Sequence, residues 1–140
     1  MKKGFFLITV PLLIAIMLTS TQCNDKEESV MCTSEFVTIL LKLEFSDGQP
    51  VLLDSSKVFW VSKNRFLEQN LFDANGLRTN GYYGVVNDLM QPELKGKQEI
   101  MRFTGYVNDE IICERNVLVG ADRCHVMYLG TEPLIQVIDL

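Results

Sequence analysis

The chain has one histidine and one tryptophan in 140 residues, and its four cysteines include no C-x-x-C spacing. Zinc sites need clustered Cys and His ligands, so the familiar zinc patterns are absent. Basic runs are missing as well: 18 acidic residues outweigh 13 basic ones, for a formal net charge of −5. Affinity for nucleic acid rests on clustered Lys and Arg, which excludes nucleic acid as the expected partner. No stretch of about twelve residues or more keeps an amphipathic helical period, which argues against a helical bundle. Internal repeats and low-complexity tracts are also lacking, which removes the solenoid architectures. No catalytic constellation stands out, so the sequence names no reaction, cofactor or metal.

What is present begins with an address. Lys2 and Lys3 precede an uncharged run from Gly4 to Leu18, GFFLITVPLLIAIML. A basic start and an apolar stretch of this length read as a signal peptide. A spanning helix needs about twenty apolar residues, and Pro11 interrupts the run. The segment TSTQC then closes on Cys23. It resembles the lipobox of bacterial lipoproteins, with Gln22 standing where that pattern has Gly, Ala or Ser. The resemblance implies removal of residues 1–22 and lipidation of Cys23 as the new N-terminus. Behind it, Lys26, Glu27 and Glu28 resemble the surface-export signal of Bacteroidota lipoproteins. The implied location is the outer membrane, held by a lipid anchor and facing either outward or into the periplasm. Residues 23–34 then read as a polar, flexible tether. The remaining chain would keep all 18 acids and lose two basic residues, for a formal charge of −7.

From Glu35 the pattern changes. In FVTILLKLEF, Val37, Ile39, Leu41, Leu43 and Phe45 alternate with Thr38, Lys42 and Glu44. Period-two alternation predicts a strand with one buried face. Asp47-Gly48 and Pro50 end it as a turn. KVFWVSK is a second predicted strand, and residues 64–80 read as a hairpin or irregular crossover with short strands. YYGVV follows, then NDLMQPELKGK as a polar loop. EIMRFTGYV and EIICERNVLV are strands joined by a tight turn at Asn108-Asp109. CHVMYL and PLIQVIDL close the chain. The fold expected for residues 35–140 is an all-β, antiparallel β-sandwich of about seven or eight strands.

Three cysteines remain beyond Cys23, and an exported chain meets an oxidising compartment, so one disulfide is expected. Three pairings are open. Cys113 lies in phase with Ile111, Val117 and Val119, which suits a buried thiol and favours Cys32 with Cys124. His125 follows Cys124, but neighbours in an extended segment point to opposite faces. His125 is therefore read as structural.

The carboxylates that could serve an enzyme are Asp88, Glu93, Asp109 and Glu110, of which Asp109-Glu110 reads better as a solvated hairpin tip. Exposed aromatics could stack on sugar rings; the candidates are Trp60, Tyr82, Tyr83 and Tyr106. Trp60 is expected in the core.

The order of these segments resembles the transthyretin-like or carboxypeptidase-regulatory-like modules of small Bacteroidota lipoproteins. The matching residues are Asp47, Gly48 and Pro50 in the first turn, Gly81 and Tyr82 in a middle strand, and Asp122, Cys124, His125 and Val126 at a closing corner. The resemblance implies a non-catalytic module that binds a protein or glycan partner or serves as an outer-membrane accessory. It transfers no active site. The alternatives are an inhibitor of a secreted enzyme that presents residues 87–97, and a small hydrolase.

Overall fold

The alternation after Glu35 becomes strand β1 (Thr38–Phe45), with Leu41 and Leu43 fully buried and Val37, Ile39 and Phe45 packed against the same core. This computed structural model describes residues 30–68 and 76–139. The stretch expected to be a signal peptide, Cys23 and residues Lys26, Glu27 and Glu28 lie outside the described residues. The chain divides into two compact units, Met1–Val30 and Met31–Leu140, and the second is described here.

Eight strands occur among the described residues. After β1 come β2 (Ser55–Trp60), β3 (Arg65–Phe66), β4 (Tyr82–Asn87), β5 (Gln98–Val107), β6 (Glu110–Ala121), β7 (Val126–Tyr128) and β8 (Ile135–Ile138). They form two sheets, one ordered β4-β1-β8 and the other β3-β2-β5-β6-β7. Both contribute to one apolar core. Leu41, Leu43, Tyr83, Val85 and Ile138 come from the first sheet, and Val58, Trp60, Met101, Phe103, Val117 and Val119 from the second. Tyr83 and Phe103 meet across the core with ring centroids 5.9 Å apart. The Tyr83 hydroxyl donates to Val51 O at 2.8 Å and accepts from Leu53 N–H at 2.7 Å, fastening the β1–β2 connection over the core.

The sheets are not wholly antiparallel, which corrects the antiparallel sandwich expected from the sequence. β8 runs parallel to β1, with Lys42 opposite Ile135 and Phe45 opposite Ile138. A parallel pair needs a long crossover between its strands, and here the rest of the domain is that crossover. Periodicity reports which residues face inward but not the direction of a distant neighbour.

Turn chemistry places the hairpins. Asn108 and Asp109 both have positive φ, at 49° and 64°, between the paired residues Val107 and Glu110. That is the two-residue turn whose twist suits flanking strands. Gly81, with φ 76°, lies so close to β1 that a Cβ there would sit 2.4 Å from Leu43 O, so no other residue fits.

Three local expectations need correction. The register of β5 on β6 shifts between Gly105 and Tyr106, so that Cys113 faces Gly105 and Ile111 faces Tyr106. Ile112 is the extra residue; Cys113 stays buried while Ile111 is 59% exposed despite its phase. Residues 87–97 are not a free polar loop. A 3₁₀ turn (Asp88–Met90) runs into the one-turn helix α1 (Gln91–Leu94), and Met90 and Leu94 are buried. Cys124 and His125 precede β7 in a turn rather than lying within a strand.

Candidate functional site

The residues that carry chemistry converge where the chain enters the sandwich. Asn87 ends β4, and its side chain accepts from Leu89 N–H at 3.0 Å, which starts the 3₁₀ turn and projects Asp88. Asp88 Oδ2 accepts from Val37 N–H at 2.8 Å, just before β1. Asp88 Oδ1 accepts from Val126 N–H at 2.9 Å, at the start of β7. His125 Nδ1 lies 2.8 Å from Asp88 Oδ2, and its Nε2 lies 2.9 Å from Thr33 Oγ1. One carboxylate thus ties together the entry to β1, the start of β7 and the histidine that reaches back to the N-terminal segment.

A second carboxylate shapes the corner. Asp122 Oδ1 accepts from Cys124 N–H at 2.7 Å and from His125 N–H at 2.8 Å, an Asx-type turn that presents both side chains to the entering chain. Cys124 is bonded to Cys32, with Cα atoms 5.4 Å apart and 92 residues between them in sequence. Thr33 and His125 are separated by the same 92 residues. Disulfide and hydrogen bond are therefore successive links between the same two segments. Cys113 remains a buried free thiol, 3.2 Å from Gln136 Oε1. Burial pushes its pKa up to about 11, so it is a thiol and not a nucleophile at neutral pH.

Burial alone would raise the Asp88 carboxyl. The hydrogen bonds from Val37 N–H, His125 and Val126 N–H outweigh it and hold Asp88 below its ordinary range. Asp122 is lowered by the His125 and Cys124 N–H donors. Both carboxylates are therefore ionised at neutral pH.

The other candidates do not join this cluster. Glu93 is paired with Arg65 at 2.9 Å on the surface. Asp109 and Glu110 are exposed at the hairpin tip between β5 and β6. Trp60 is fully buried; its indole N–H donates to Glu99 Oε2 at 3.0 Å, and Ser62 Oγ also bonds that oxygen. Lys63 and Arg65 approach the Trp60 ring at 5.6 and 5.2 Å. Tyr83 lies in the core, half-buried Tyr82 belongs to the three-stranded sheet, and Tyr106 lies under Lys57 in the other sheet at 5.2 Å. The four aromatics thus line no common face.

Every residue behind the family resemblance occupies a turn, a strand start or the clasp. Asp47 Oδ1 accepts from Gln49 N–H at 2.9 Å, Gly48 has φ 82°, and Pro50 bridges to Glu44. Gly81 ends the turn before β4 and Tyr82 opens the strand, while Asp122, Cys124, His125 and Val126 make the corner around Asp88. Sequence reasoning missed Thr33. Its signal was present, because a Cys32–Cys124 link places Thr33 and His125 one step further along the same two segments.

Among the described residues no group of three or more His, Cys, Asp or Glu is arranged to hold a metal ion, and no helix is long and apolar enough to cross a membrane. No protein-family model, curated protein or solved structure matches the chain.

Proposed function

We propose that the chain is a lipid-anchored envelope module, a non-catalytic β-sandwich with a transthyretin-like chain path. It binds a protein or glycan partner, or serves as an accessory at the outer membrane. One observation carries this reading. A disulfide and hydrogen bonds fasten Cys32 and Thr33, at the end of the stretch read as a tether, and Val37, just before β1, to the body of the sandwich. An anchored domain needs such a joint, because any pull between membrane and partner passes through that entry point. The Cys23 lipobox and the charged Lys26, Glu27 and Glu28 supply the anchor and the export signal. Residues 87–97 are committed to the core through Met90 and Leu94, which weakens an inhibitor reading that needs them as a free loop.

The test is fractionation. The wild-type chain should partition with outer membranes and carry acyl chains on Cys23, while Cys23→Ala should accumulate unprocessed or leave the membrane. A Cys23→Ala chain that is processed and membrane-bound like wild type contradicts the anchoring.

A second reading, a small hydrolase, is favoured by the continuous chain Thr33 Oγ1, His125 and Asp88 Oδ2, at 2.9 and 2.8 Å. In it Thr33 is the nucleophile, His125 the base and Asp88 its orienting carboxylate. A fluorophosphonate probe decides it. Labelling of Thr33 that is lost in His125→Ala supports the hydrolase, and no labelling above that of Thr33→Val supports the joint.

A further inference from the structure

Three large apolar side chains stand exposed around the joint. Met31 is 94% exposed, and Phe36 and Leu89 are each 60% exposed. Their chain neighbours are tied to one another at the joint. Thr38 is opposite Asn87 in the β1–β4 ladder. One step outward, Asp88 N–H donates to Val37 O at 3.1 Å while Val37 N–H donates to Asp88 Oδ2. Phe36 and Leu89 each adjoin this bonded pair in the chain, Phe36 before Val37 and Leu89 after Asp88. Met31 precedes Cys32, whose partner Cys124 adjoins the His125 bonded to Asp88.

The covalent chain limits where this patch can go. Cys23 stands eight residues before Met31. Eight residues fully extended span at most about 28 Å, less than the full thickness of a bilayer with its headgroups. We propose that Met31, Phe36 and Leu89 form a membrane-docking face that inserts into the headgroup–acyl boundary next to the lipid anchor. The proposal rests on the anchoring of Cys23. Under it, a bilayer lies within reach of the patch at all times, at an effective concentration that a diffusing protein partner would have to overcome. Two docking elements, an acyl anchor and an apolar face, also hold a domain at the surface far better than one. No Lys or Arg lies between Met31 and Thr38, and Glu35 is exposed beside Phe36. The contact is therefore apolar and should not weaken as salt is raised.

The experiment uses the full chain, acylated in cells and reconstituted in phosphatidylethanolamine–phosphatidylcholine vesicles whose acyl chains carry bromine. Leu89→Trp and, separately, Phe36→Trp place an indole in the patch. Val137→Trp is the control, because Val137 is opposite Glu44 and 52% exposed near the far end of β1. That position lies about 20 Å from the entry to β1 at strand rise. The native Trp60 is buried and contributes a constant background. The two patch variants should lose about half of the added emission, as an indole about 5–10 Å into the interface would. Val137→Trp should lose none, and raising salt should change neither result. Mass spectrometry of the N-terminal peptide is run on the same samples. Acylated chains whose patch variants are quenched no more than Val137→Trp overturn the docking face alone. Protection of the patch by a protein in whole cells, without lipid quenching, overturns it too. A chain without acyl groups contradicts the anchoring reading and removes this proposal with it.

Discussion

The two sheets are held by different means. The five-stranded sheet is built largely from chain neighbours. β5, β6 and β7 follow one another through short turns, and its centre is sealed by Trp60, Met101, Phe103, Val117 and Val119. The three-stranded sheet gathers β1, β4 and β8 from the two ends and the middle of the domain. Local turns cannot set that arrangement. Its entry is instead fixed by a disulfide, the Asp88 hydrogen bonds and the Asp122 turn. Local contacts are cheap in chain entropy, whereas distant ones must overcome loop closure before they contribute. The polar and covalent links therefore occur where the topology is least local.

The largest effect should come from the apolar side of this contrast. Trp60→Ala removes a fully buried ring and should cost about 3–5 kcal/mol in chemical denaturation. Next is the covalent link. Replacing Cys32 and Cys124 together with Ser releases a 92-residue closure and should cost about 4 kcal/mol, read as a lower urea midpoint. If the double variant kept the wild-type midpoint, the three-stranded sheet would not depend on its clasp.

Asp88→Asn comes third, at about 1–3 kcal/mol, because two backbone N–H groups and His125 lose a charged acceptor. The acid limb of the stability curve reports the same group. The folded pKa of Asp88 is lowered, so its contribution is full above the unfolded carboxylate range and is lost as pH falls through the folded value. Asp88→Asn should flatten that limb, and an unchanged limb would assign the acid sensitivity to other carboxylates. The smallest effect belongs to Thr33→Val. It removes one exposed hydrogen bond to His125 and should cost about 0.5–1 kcal/mol by the same titration.

The same contrast explains what was legible in the sequence. The inward face of β1 was readable from alternation, since Leu41 and Leu43 must share a side. The β5–β6 hairpin was readable from Asn108-Asp109, whose types tolerate the positive φ of the turn. Trp60 lies in the core, where its size favoured it. Features that depend on distant parts of the chain were not readable. The parallel β1–β8 pair depends on where a chain end returns, and no local pattern encodes that. Ile111 followed the inward phase, but the bulge at Ile112 turned it outward. Met90 and Leu94 were hidden in a polar-looking stretch because their spacing of four is that of a single helical turn, too short to register as a helix. Asp88 and His125 were each noticed as single residues. Their contact spans 37 positions and becomes visible only when the turn after β4 meets the corner before β7.

The clasp at the chain entry is tested most directly by peptide mapping of the native protein without reductant, after alkylation in the folded state. The structure predicts a Cys32–Cys124 peptide, with Cys113 unmodified until the protein is unfolded. A Cys32–Cys113 or Cys113–Cys124 peptide, or ready alkylation of Cys113 in the folded protein, would contradict it.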